Sequence, residues 1–204
     1  MRVLGISTSP RKNGNSDLLL RRALEGAASN GANVEYVHLA DLTIGPCTEC
    51  NACYTTGKCA VQDDYQKLMS EILEADRLIF ATPIFFSGVC AQAKMLIDRA
   101  QCLWARKYVL KQPPPADRQT QHAMVIVVGG SKSKKQFGSV KLTMKYYFDA
   151  LGFDYAFNLF VSRVDALEDI KSHTSAMDEV FRLGSELASD TLSPAKEPID
   201  VELF

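Results

Sequence analysis

Short apolar runs alternate along this chain with polar stretches marked by glycine or proline. Residues 3–7 (VLGIS) are apolar and β-branched, which predicts a strand, and the polar stretch after them leads into a helical pattern near Ser16. Leucines at 18, 19, 20 and 24 have helix rather than strand spacing, with Asn15 or Ser16 as a natural N-cap. The same reading places strands at 34–39, 77–81, 124–128 and 155–161. It places helices at 65–75, with Asp63 or Asp64 as cap, up to about 106, at 137–151 and at 166–188. Residues 124–128 (MVIVV) are apolar without alternation, as in a central parallel strand covered on both faces, and Gly129-Gly130 ends the run. Residues 111–121, with three consecutive prolines, read as an exposed connection, and 191–204 as a polar tail.

Five strands alternating with helices imply right-handed βαβ crossovers and an α/β fold whose parallel sheet is covered on both faces. The expected organisation is one domain over 1–190 with a cysteine-bearing insertion at about 43–62, then a tail at 191–204. In such a sheet, ligands lie outside the carboxyl ends of the strands at the topological switch point. The loops after the first, third and fourth strands are therefore the places to look.

Composition narrows the function classes. With 204 residues and 47% of them hydrophobic, the chain can build one sizeable core. A formal net charge of -1 offers no broad basic surface, so nucleic acid is not an expected partner. No stretch reaches the roughly 18 apolar residues of a membrane span, and the amino terminus lacks the apolar core of a signal peptide. A cytoplasmic protein is expected, in which clustered cysteines point to metal binding or catalysis rather than a disulfide framework.

The loop after the first strand runs from Ser7 through Ser9, Arg11, Asn13 and Gly14 to Asn15 and Ser16, directly into a helix. A phosphate there would meet free backbone N–H groups, the positive end of a helix dipole, hydroxyl donors and one guanidinium. Neither the dinucleotide fingerprint nor the nucleoside-triphosphate loop pattern is present, and a well-capped polar loop would have a similar composition. After the third strand, Pro83 stiffens a loop in which Phe85 and Phe86 offer flat apolar faces. Two aromatics alone would equally suit a core beneath a loop. Gly129 and Gly130 allow a close backbone approach as a third wall.

The arrangement S-x-R-x-x-G-N-S (Ser9, Arg11, Gly14, Asn15, Ser16) resembles the FMN-phosphate loop of the NAD(P)H-dependent FMN reductase group in the flavodoxin-like superfamily. The segment Thr82, Pro83, Ile84, Phe85, Phe86, Ser87, Gly88 is similar to that group's isoalloxazine-lining loop, and residues 91–99 (AQAKMLIDR) to its K-x-x-I-D-R helix. The resemblance implies a flavodoxin-like three-layer fold with a five-stranded parallel sheet in the order 2-1-3-4-5. It also implies FMN as cofactor, with Ser9, Arg11, Asn13, Asn15 and Ser16 at the phosphate and the 83–88 loop against the ring.

Cys47, Cys50, Cys53 and Cys59 form C-x2-C-x2-C-x5-C, whose first three members have the compact spacing of [4Fe-4S] ligands. Zinc, an oxidised disulfide pair and plain thiols are the competing readings. The spacing and its place after the second strand resemble the iron-sulfur flavoprotein family. That likeness implies a homodimer or homotetramer in which FMN exchanges electron pairs with a substrate and a [4Fe-4S] cluster passes single electrons to or from a ferredoxin-type partner. The alternative is a cluster-free NAD(P)H-dependent FMN or quinone reductase, with quinone or an oxygen species as acceptor. A third is a regulatory protein that reports redox state. Flavin would carry the chemistry in each, so no catalytic side chain is expected. Cys90 and Cys102 read as small buried hydrophobes, and His38, His122 and His173 as structural or exposed.

Overall fold

The computed structural model describes residues 1–112, 121–193 and 196–203. The proline-rich connection read at 111–121 therefore lies largely outside the described residues. Seven strands, β1 (Arg2–Ser7), β2 (Asn33–His38), β3 (Arg77–Phe85), β4 (Gly88–Val89), β5 (His122–Gly129), β6 (Asp154–Ser162) and β7 (Ile199–Leu203), form one sheet. Its order is β2-β1-β3-β5-β6-β7, parallel throughout, with β4 turning back antiparallel on β3.

The expected strand order holds for the first five parallel strands, and the expected count of five does not. A sixth parallel strand comes from the segment read as a tail: β7 runs beside β6 with Leu159 opposite Val201. Its sequence IDVEL gave a weak signal because an edge strand with a wet face needs no apolar run, and Ile199 is 54% exposed. Backbone pairing with β6 and the packing of Val201 and Leu203 on the core hold it, flanked by Lys134–Glu202 and Lys141–Asp200 ion pairs at 2.7 Å.

Seven α-helical segments are described: α1 (Asn15–Ser29), α2 (Cys53–Thr56), α3 (Tyr65–Glu74), α4 (Ala91–Arg99), α5 (Gln101–Trp104), α6 (Gly138–Leu151) and α7 (Thr174–Leu187). A π-helical turn, Ala105–Val109, extends α5. α1 and α7 cover one face of the sheet, while α3, α4 and α6 cover the other. Successive residues of β5 feed the two cores in turn, Met124, Ile126 and Val128 on the α1/α7 side, Val125 and Val127 on the opposite side. This is why that strand is apolar at every position.

One helix start differs from expectation, and that of α3 falls where it was expected. The helix expected from 166 begins at Thr174, because Glu168 adopts φ +65° and the chain passes through a 3-10 turn first. His173 then caps α7, its Nδ1 accepting from the Ala176 N–H at 3.3 Å. For α3 the cap is shared: Asp64 holds the capping position, and the Asp63 carboxylate accepts from the Tyr65 N–H at 2.9 Å. Among the described residues no helix is long and apolar enough to cross a membrane.

Candidate functional site

The loop between β1 and α1 is shaped by a chain of local bonds. Thr8 anchors it to β3, its N–H and hydroxyl both donating to the Ala81 carbonyl at 2.9 Å. The Arg11 N–H donates to Ser9 Oγ at 3.1 Å, and Gly14 N–H to the Arg11 carbonyl at 3.2 Å. A Cβ on Gly14 would stand 3.0 Å from Ser9 Oγ and 3.1 Å from the Arg11 oxygen, so any side chain there requires the turn to shift by a few tenths of an ångström. Asn13 is held at φ +58° by its N–H, which donates to Asp17 at 2.9 Å.

Asp17 is fully buried and also accepts from the Tyr36 hydroxyl at 2.6 Å and from Arg21 Nε at 3.3 Å. Burial alone would push its carboxyl up, but the Tyr36, Asn13 and Arg21 contacts bring it below its ordinary value. The same burial and the bond to Asp17 push the Tyr36 phenol up to about 12.

Above this loop lies a cavity of about 110 Å³, lined by Ser9, Arg11, Asn15, Ser16 and the β3 residues Pro83, Ile84 and Phe85, with Gly130 opposite. α1 begins at Asn15, so the first N–H groups of the helix face the loop without intrahelical partners. Arg11 has no acidic partner among the described residues. These donors suit an anion of phosphate type. The Asn15 side chain is engaged elsewhere: its amide donates to Ala166 O at 2.8 Å and accepts from the Ile170 N–H at 3.2 Å. Asn15 therefore ties the phosphate loop to the loop after β6, and what it offers an anion is its backbone N–H.

A second cavity, of about 320 Å³, adjoins the first at Ile84 and Gly130 and is lined also by Phe86, Ser87, Ser131 and Lys135. It lies over the β3–β4 hairpin, whose two turn residues Phe86 and Ser87 have φ +49° and +58°. Ser139 Oγ donates to the Ser87 carbonyl from α6. Phe85 is half exposed and Phe86 wholly so, hence neither is a core aromatic. Together the two cavities provide an anion cradle beside an aromatic-edged cleft.

The residues expected at this site mostly meet. Asn13 and Gly88 shape the backbone without lining either cavity, and Gly129 ends β5 against Gln136. Asp165 and Leu167 from the loop after β6 were not foreseen. Their position after a strand's carboxyl end was the available signal.

Cys47, Cys50, Cys53 and Cys59 all line a separate cavity of about 400 Å³ that shares no lining residue with the other two. Its walls include Cys102 and Arg99, neither of which the spacing pattern identified. All six cysteines are free thiols, with Cys47 and Cys50 exposed. Among the described residues no three His, Cys, Asp or Glu side chains are already gathered at metal-ligand geometry. Burial pushes the Cys53 and Cys102 thiols up. Four thiols lining one cavity match a [4Fe-4S] cluster's donor set in element and number, and they are not gathered to its ligand geometry.

Arg99, the last residue of α4, is buried at the base of this cavity. Its Nη1 donates to Asp63 Oδ2 at 2.5 Å and to the Gly45 carbonyl at 3.4 Å, its Nη2 to the Val61 carbonyl at 2.8 Å. The guanidinium lies over the Tyr65 ring at 4.2 Å, and Tyr65 Oη donates to the Arg99 carbonyl at 2.8 Å. Burial disfavours the charge, and Asp63 with the nearby Cys59 sulfur more than offsets this, raising the Arg99 pKa.

The NADPH-dependent FMN reductase family model matches residues 1–152. An iron-sulfur flavoprotein of Methanocaldococcus jannaschii is 46% identical over 103 residues, about half of either chain (50% of this one, 53% of the relative). Another, of Archaeoglobus fulgidus, is 30% identical over 205 residues, covering 100% of this chain and 86% of the relative. An NAD(P)H:quinone oxidoreductase from Methanothermobacter marburgensis shares the fold, with a TM-score of 0.71 at 16% identity over 94% of this chain and 98% of that one. The flavodoxin-like architecture, the anion cradle at the β1–α1 loop and the match over three quarters of its length agree: this chain belongs to the NADPH-dependent FMN reductase family of flavin-dependent oxidoreductases.

Proposed function

We propose that this protein is an iron-sulfur flavoprotein, an FMN-dependent oxidoreductase that also carries a [4Fe-4S] cluster on Cys47, Cys50, Cys53 and Cys59. The observation that carries the reading is that these four thiols line one cavity. Relatives named iron-sulfur flavoproteins support it. Bound FMN supplies two-electron and one-electron redox chemistry, and a bound cluster one-electron transfer.

The chain's own residues then divide the work. Ser9, Arg11 and the N-terminal N–H groups of α1 hold the FMN phosphate by hydrogen bonds and charge. Pro83, Ile84, Phe85, Phe86 and Ser87 border the ring on one side and Gly130 on the other, while Gly88 and Gly129 set the backbone of the two walls without lining them. Asp17 keeps the phosphate loop in shape through the Asn13 N–H. Because the flavin and cysteine cavities share no wall, the reading includes a homodimer or homotetramer that joins sites of different subunits. It also includes a cytoplasmic setting, a ferredoxin-type donor and a small acceptor such as a quinone or an oxygen species.

The second reading is a cluster-free NAD(P)H-dependent FMN or quinone reductase. It is favoured by the thiols not being gathered at ligand geometry. Iron, acid-labile sulfide and FMN content, measured on protein purified without oxygen, separates the two. About four irons and four sulfides per FMN support the cluster, and stoichiometric FMN without either selects the reductase.

A further inference from the structure

The structure assigns Arg99 as the positioning residue of the cysteine pocket: its guanidinium clasps both ends of the cysteine loop and turns a free N–H toward the cluster. The second half of this assignment rests on the iron-sulfur reading above.

The clasp is visible in the partners. Gly45, whose carbonyl accepts from Nη1, precedes Cys47 by two residues, and Val61, whose carbonyl accepts from Nη2, follows Cys59 by two. One planar fork therefore joins the chain entering the loop to the chain leaving it. Asp63 completes the closure, accepting from Arg99 with the same Oδ2 that accepts the Gly45 N–H at 2.9 Å. Lysine, a point charge with no fork, cannot hold three acceptors in this plane.

The free donor is Nε. It is buried and has no hydrogen-bond partner, while Arg99 itself lines the cavity the four cysteines share. A buried guanidinium normally has its donors satisfied, so an orphan N–H at this wall points to a ligand with acceptor atoms. Thiolate sulfurs and cluster sulfides are such acceptors. A cluster held by four thiolates is a dianion that becomes a trianion on taking one electron. A fixed positive charge and an N–H bond stabilise the trianion more, which favours reduction.

The test compares wild type, Arg99→Gln and Arg99→Lys, using two readouts independent of turnover. The first is the iodoacetamide alkylation rate of the half-buried loop thiols Cys53 and Cys59 in metal-free protein. The second is the one-electron midpoint potential of the cluster after anaerobic reconstitution with iron and sulfide. Both variants lose the fork, so alkylation of the loop thiols is expected to rise about tenfold in each, by release of a locally closed segment. In Arg99→Gln the equilibrium constant for reduction is expected to fall about tenfold, equivalent to about 59 mV for one electron, and in Arg99→Lys to stay within about threefold. A cluster in folded Arg99→Gln with the wild-type potential overturns the electrostatic role. Wild-type alkylation rates in Arg99→Lys overturn the clasp, and this variant decides it if Arg99→Gln does not fold. Faster alkylation in both variants, with wild type taking up no iron, upholds the clasp and instead defeats the cluster reading.

Discussion

The Tyr36 hydroxyl donates a 2.6 Å hydrogen bond to one oxygen of Asp17, whose other oxygen accepts the N–H of Asn13. A residue on β2 thus fixes a carboxylate on α1, and that carboxylate fixes the left-handed residue of the phosphate loop. Asp17→Ala removes the acceptor of three donors, the Tyr36 hydroxyl, the Asn13 N–H and Arg21 Nε, at about 0.5–1.5 kcal/mol for each bond. The FMN dissociation constant is expected to rise about tenfold or more by fluorescence titration, equivalent to about 1.4 kcal/mol. Tyr36→Phe removes one bond only, and FMN affinity should stay within about threefold. Equal affinity in Asp17→Ala and wild type would show that the loop keeps its shape without the carboxylate.

The same carboxylate gives the stability a pH dependence. Its folded pKa lies below the ordinary 3.8, so folding favours the ionised form. That contribution is full above the ordinary carboxylate range and is lost as pH falls from 3.8 through the folded value. Denaturant unfolding of wild type and Asp17→Asn at a series of pH values is expected to show the widest gap near neutrality and convergence in acid. A constant gap across the whole series would mean that Asp17 does not titrate differently in the two states.

The sequence made the central sheet legible wherever burial on both faces removed any choice of residue, as along β5. β7 was hidden because one of its faces is wet, and the strand it pairs with lies about forty residues earlier in the chain. That the four cysteines line one cavity was legible because residues close in sequence are close in space. Arg99 was not, since 36 residues separate it from Asp63 and only the packing of α4 on the cysteine loop brings them together. Asn15 shows the converse: its position in the motif suggested a phosphate ligand, while its side chain is bonded to Ala166 and Ile170, more than 150 residues on.

α1 and α7 meet backbone to backbone at two glycines. A Cβ on Gly26 would lie 2.0 Å from the Phe181 carbonyl oxygen, and one on Gly184 would lie 2.0 Å from that of Ala23. Backbone cannot yield as a flexible side chain does, so either alanine forces the helices apart, at a cost of about 2–3 kcal/mol. Thermal midpoints are expected to fall by roughly 4–12 °C for Gly26→Ala and for Gly184→Ala. FMN stoichiometry in the folded fraction should be unchanged. A midpoint at the wild-type value would mean that the helices separate at little cost.

Because the cysteine cavity shares no lining residue with the flavin cavities, the two cofactors should be separable. Cys53→Ser is expected to abolish bound iron and sulfide while FMN remains stoichiometric. Loss of both cofactors together would mean that the cysteine loop supports the flavin site through contacts beyond the cavity walls.

Phe86 and Ser87 occupy the two central positions of the β3–β4 hairpin with φ +49° and +58°, the signature of a type I′ turn. Such turns favour asparagine and glycine, and a bulky side chain at positive φ costs about 1–2 kcal/mol. Burial does not compensate, since the Phe86 ring is wholly exposed in this chain and borders the cavity assigned to the flavin ring. Strain without an internal return marks a position kept for an external contact. Phe86→Asn should therefore raise the thermal midpoint of flavin-free protein by about 2–4 °C while weakening FMN binding several-fold. An unchanged midpoint would refute the strain argument. Unchanged FMN affinity would remove the ring from the flavin site and leave Phe85 as its aromatic edge.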